Sequence, residues 1–154
     1  MKNDSDVRST LNSLIETCKD GEEGFRSAAE KLKDATIKSD FLKFSLQRAN
    51  FAGELQAEVT RMGGEPEKSG STSGAIHRGW IGLKSAVAGD SDHGILEEAE
   101  RGEDAAVKNY HDALRKRLPA DLEAIVSRQS REIQQTHNTV KAIRDRGKTM
   151  TGRV

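Results

Sequence analysis

Apolar residues recur along this chain in steps of three and four, the spacing that gathers them on one face of a helix. Over residues 5–33 the stripe runs Val7, Leu11, Leu14, Ile15, Cys18, Glu22, Phe25, Ala29 and Leu32. Over 35–62 it runs Ile37, Phe41, Phe44, Arg48, Phe51, Ala52, Leu55, Val59 and Met62. Over 92–117 it is Leu96, Ala99, Glu103, Ala106, Tyr110 and Ala113; over 119–146 it is Leu122, Ile125, Gln129, Glu132 with Ile133, Thr136, Val140 and Ile143. A shorter stripe, Ile76, Trp80, Leu83 and Val87, predicts one more helix over 75–88.

The breaks between stripes carry helix-stop and helix-start chemistry. Asp4 or Ser5 offers a first N-cap, and Asp34 a second after a very short turn. Gly63-Gly64-Glu65-Pro66 is a glycine C-terminus followed by proline, and Leu118-Pro119 places proline at the start of the last helix. Short turns make antiparallel hairpins. The connection over 63–91 is too long for a hairpin and reads as a crossover containing the short helix. Its first part, Ser69 to Gly74, is a polar link. The expectation is an all-α four-helix bundle of two helical hairpins, one domain over 1–147, with a disordered tail over 148–154.

Each long stripe is broken near its middle by a polar residue: Glu22, Arg48, Glu103 and Gln129. A shift of 81 positions lays the first hairpin on the second, bringing Glu22 onto Glu103 and Arg48 onto Gln129. Any two helical hairpins of equal length align their stripes, but an acid inside each first stripe is less easily a coincidence. All four residues fall near mid-helix, which predicts a polar layer across the bundle centre. Gly21 and Gly24 inside the first helix each cost up to about 1 kcal/mol against alanine, so they either admit a close neighbour or loosen the helix.

Composition narrows the rest. With 32% charged and 4% aromatic residues, the chain suits helices with broad solvated faces. A net charge of +0 argues against nucleic acid or an anionic membrane surface as partner. The single Cys18 can form no internal disulfide, and neither a signal peptide nor a membrane span is readable, so a cytoplasmic location is expected.

Two helix pairs, a long crossover and mid-bundle carboxylates resemble the ferritin-like superfamily. More closely, Leu14–Arg26, Gly63–Pro66, His77–Trp80 and Glu100–Asp104 look like a bacterial family of uncharacterised four-helix-bundle proteins. That resemblance spans about 5–146. It implies a fold and no established activity.

Di-iron bundles need one Glu from each of two helices and Glu-x-x-His from each of the other two. Glu22 and Glu103 could fill the single-Glu roles. The second helix offers only Gln47-Arg48-Ala49-Asn50 at that depth, and the fourth offers Gln129 to Glu132, with His137 further along. An arginine among the ligands opposes two cations. The favoured reading is therefore Arg48 holding Glu22 and Glu103, with Gln129 completing the hydrogen bonds and no cofactor. The alternative is a degenerate iron or manganese site drawn from Glu22, Glu100, Glu103 and His137, of oxidase or ferroxidase type. No catalytic residues are assigned. Cys18 reads as a small core residue, and His77, His93 and His111 as surface or cap residues. Trp80 reads as a tack for the crossover, its alternative being an exposed anchor for a partner. The function expected is a non-catalytic structural or interaction role, with a homodimer as the favoured assembly.

Overall fold

The structure, a computed structural model, describes residues 3–70, 80, 82–83 and 91–151, with side chains as far as residue 146. Four long helices carry it: α1 (Asp4–Lys31), α2 (Ala35–Arg61), α3 (Asp92–Arg115) and α4 (Ala120–Thr151). Among the described residues there are no strands. This is an all-α four-helix bundle.

The ends follow from local hydrogen bonding. Asn3, one residue earlier than expected, caps α1 by accepting from the Asp6 amide at 2.8 Å. Asp34 caps α2 by accepting from the Thr36 and Ile37 amides, and Ser91 caps α3 by accepting from Gly94. At the end of α2, Gly63 turns into the left-handed region at φ 80°. Its amide donates to Thr60 O and that of Gly64 to Val59 O, closing a Schellman motif.

Three boundaries differ from expectation, α3 among them, ending at Arg115 rather than near 117. α1 ends at Lys31 rather than near 33, because Leu32 turns extended while its amide still reaches Ala28 O. α4 continues to Thr151, through much of the segment expected to be a disordered tail. No proline follows Gly147, and a glycine weakens a helix without stopping it. Of the short helix expected over 75–88, only Trp80, Gly82 and Leu83 are described, and they are helical; the rest, His77 included, lies outside the described residues.

α1 packs along α2 and also along α3, and α3 along α4. The interior divides into two apolar clusters. One contains Leu11, Leu14, Phe51, Leu55, Ala106 and Val126; the other contains Phe25, Phe41, Trp80, Leu96, Val140 and Ile143. On α4 the stripe starts at Leu122 as expected but continues through buried Val126, with Ile125 only partly covered. Between the clusters lies a band of polar side chains.

The buried polar layer as candidate functional site

Arg48 on α2 and Glu103 on α3 are both fully buried. Their contact is a two-pronged fork: Nη1 donates to Oε1 at 2.6 Å and Nη2 to Oε2 at 2.7 Å. The third guanidinium donor, Nε, goes to Gln47 Oε1 at 3.2 Å, and Gln47 in turn accepts from Thr136 Oγ1. Planar arginine matches a carboxylate in this way, where a lysine could make only a point contact. Burial pulls the Arg48 guanidinium downward, and Glu103 more than restores it, so Arg48 stays above its ordinary value.

Space for the guanidinium comes from α1. A Cβ placed on Gly21 would lie 3.0 Å from Arg48 Nη1, so the glycine admits the arginine. One turn on, the Phe25 ring lies beneath the guanidinium, 5.3 Å from Cζ to ring centroid. The glycine at 21 therefore admits a close neighbour rather than loosening α1.

A second set of hydrogen bonds adjoins the first. The Tyr110 hydroxyl donates to Gln129 Oε1 at 2.7 Å, which leaves its oxygen to accept from Cys18 Sγ at 3.0 Å. Gln129 Nε2 donates to Glu54 Oε1 at 3.1 Å and reaches Phe51 O at 3.4 Å. The chain thus runs in one direction, from a buried thiol to a half-exposed carboxylate that also pairs with Arg128. Burial pushes the Cys18 thiol up to about 11 and the Tyr110 phenol well above its usual range. Cys18 is thus a buried thiol with a partner, kept protonated and far from the thiolate that nucleophilic chemistry needs.

The expected layer of Glu22, Arg48, Glu103 and Gln129 therefore needs a correction. Arg48, Glu103 and Gln129 lie at one depth with 0% exposure. Glu22 does not join them: its side chain is 25% exposed and lies 3.4 Å from Lys19. The residue α1 turns toward the guanidinium is Gly21, and both prongs of the fork are already used by Glu103. A second buried carboxylate would have no cation left. Tyr110 and Glu54 belong to the network instead, and the sequence reading missed both. Tyr110 was visible as a stripe residue with a hydroxyl that burial obliges to find a partner.

The alternative metal set, Glu22, Glu100, Glu103 and His137, is not assembled either. Glu103 is locked to Arg48, and Glu22 is with Lys19. Glu100 and His137 do approach one another, together with Asp104. One ligand atom from each lies within 4.8 Å of the others. His137 Nε2 is 2.6 Å from Asp104 Oδ1, and its Nδ1 is buried without a hydrogen-bond partner. Glu100 Oε2 sits 2.5 Å from Arg144 Nη1, close enough for an ion pair although the alignment is not that of a hydrogen bond. His93 pairs with Glu97 at 2.7 Å on α3, and His111 is exposed. Trp80 is 3% exposed, which removes the reading of it as an exposed anchor.

Fold and layer together define a helical bundle whose centre is an arginine–glutamate pair between two apolar clusters. The chain belongs to the family described as Domain of unknown function (DUF2383), whose match covers residues 6–116. That span contains Arg48, Glu103, Tyr110 and Cys18, and stops short of Gln129 on α4. No curated protein matches the chain.

Proposed function

We propose that this protein is a non-catalytic, ferritin-like bundle of bacterial cytoplasm that acts through its surface, with an ion pair in the position a di-iron centre would take. One observation carries the reading. The guanidinium of Arg48 fills the middle of the bundle and uses both oxygens of Glu103, the carboxylate best placed to bind metal there. A cation entering that space would have to displace a buried arginine and strip it of the Glu103 carboxylate. α2 and α4 bring no Glu-x-x-His to that depth. The buried thiol of Cys18 suits a reducing compartment.

A second reading rests on the group Glu100, Asp104 and His137, where one imidazole nitrogen and two carboxylates could hold one divalent iron or manganese ion loosely. Arg144 beside Glu100 opposes it. One experiment separates the two. The full chain, purified aerobically, is assayed for bound iron, manganese and zinc by mass spectrometry and for oxidation of added iron(II), alongside Glu103→Ala and His137→Ala. The first reading expects no stoichiometric metal and no oxidation above the buffer rate. Stoichiometric metal that disappears with Glu103→Ala overturns it, and metal that disappears only with His137→Ala establishes the second.

A further inference from the structure

We propose that the outer face of α2 is a homodimer surface on which two copies of this chain pair antiparallel about a two-fold axis. The inference rests on the reading that the protein acts through its surface, and gives that surface a place and a partner.

The observation is an exposed strip without charge. Ser39, Leu42, Leu46, Gly53, Ala57 and Thr60 all face solvent along one side of α2, in a chain of which 32% of residues are charged. Leu42 is 49% and Leu46 62% exposed, and among the described residues they are the exposed large hydrophobics. The inner face of the same helix is already committed to the core through Phe41, Arg48, Phe51, Leu55 and Val59. α2 is thus apolar or uncharged on two sides, and only one of them has a partner among the described residues.

The pattern of the strip selects a second copy as that partner. Its steps of three, four, seven, four and three read the same in both directions. Antiparallel pairing about an axis beside Ala49 and Asn50 sets Leu46 opposite Gly53, Leu42 opposite Ala57, and Ser39 opposite Thr60. Each leucine then meets a small residue, which lets two helices approach closely. A Cβ on Gly53 would have nothing within 4 Å, so the space for the partner's Leu46 is open. An isologous contact requires this self-complementarity, and a chance partner does not. Charges beside the strip agree. An open groove of about 520 Å³ between α2 and α4 is lined by Lys43 and Glu54 of α2 and by Arg128 and Glu132 of α4. In the two-fold arrangement, Lys43 of one copy lies on the same flank as Glu54 of its partner.

The test is sedimentation equilibrium of the full chain from micromolar to millimolar concentration, with Leu46→Glu, Gly53→Gln and Glu123→Gln compared with the parent. The expected result is a concentration-dependent dimer whose dissociation constant rises at least about tenfold in Leu46→Glu and in Gly53→Gln, but not in the remote Glu123→Gln. Circular dichroism melts guard against misfolding, and Gly53→Gln is informative there because a side chain at an exposed mid-helix glycine favours the isolated helix. Asn50→Cys, near the axis, adds a geometric readout: oxidation should yield a disulfide-linked dimer. A monomer throughout the range, or a dimer that both α2 substitutions leave intact, overturns the proposal. Either result leaves the metal measurements untouched, so it fails separately from the reading on which it rests.

Discussion

Arg48 and Glu103 show how one pair of side chains can be expensive to break without being a large source of stability. Both lost their water on folding, and the fork between them with its added hydrogen bonds only offsets that loss. Removing one partner leaves the other charged, buried and alone. Arg48→Ala and Glu103→Ala are each expected to lower unfolding free energy by about 3–5 kcal/mol, read from urea midpoints at constant slope. The double change Arg48→Met with Glu103→Leu should return to within about 1 kcal/mol of the parent, because apolar residues of similar volume replace both charges at once. A double variant as weak as the singles would show that the pair contributes more than mutual compensation. Cys18 and Tyr110 give the layer a pH dependence. Both groups hold their protons more tightly in the folded chain than in the unfolded one, first because they are buried. The Cys18 contribution is complete below pH 9, the ordinary thiol value, and is lost as pH rises toward 11; that of Tyr110 persists to higher pH. For Cys18 alone the loss is roughly 2–3 kcal/mol. Unfolding curves between pH 8 and 11 should therefore fall, and Cys18→Ala should flatten part of that fall.

At the scale of elements, two glycines decide how α1, α3 and the crossover meet. Gly24 on α1 and Gly102 on α3 both face the indole of Trp80, and a Cβ at either position would overlap the ring. The indole also meets Phe25 edge-on at 5.2 Å between centroids, which holds it from another side. Lys31 fastens the same segment by donating to Leu83 O. Because the indole is rigid and buried, it cannot swing away from an added methyl as a long flexible side chain could. Gly24→Ala and Gly102→Ala are expected to destabilise by about 1–3 kcal/mol through overpacking, although alanine is the better helix former at both positions. Tryptophan fluorescence should shift to the red in each, as the ring is pushed toward water. An unshifted emission with raised stability would mean that the notch is not filled as described.

The whole molecule is held in register by contacts spaced along its length. At one end the Asp92 carboxylate accepts from the Lys33 and Asp34 amides at 2.8 and 3.0 Å, tying the start of α3 to the turn between α1 and α2. At the other, Asn12 donates to Glu65 O and accepts from the Glu67 amide, holding the segment after α2 against α1. The polar layer sits between these ties. α2 and α4 meet each other far less than their neighbours do, and the groove with Leu46 on its wall opens between them. No described helix is long and apolar enough to cross a membrane.

Periodicity alone determined that there would be four long helices, about where they would turn and most of the face that each buries, because the apolar spacing on a helix is a local property. It also singled out Arg48, Glu103 and Gln129, since a polar residue inside an apolar stripe is visible without coordinates. Tertiary structure decided which of the polar residues would meet. Glu22 and Glu103 look equivalent under the 81-residue shift, yet one is buried with arginine and the other sits with Lys19. The difference is that at this depth α1 sets Gly21 against the guanidinium, and which residue meets the centre is decided by the volume of whatever packs opposite. The same holds for the thiol–phenol–amide chain and for the approach of His137 to Asp104, whose members come from different helices. Spacing along one helix fixes a face, and only packing between helices fixes what that face touches.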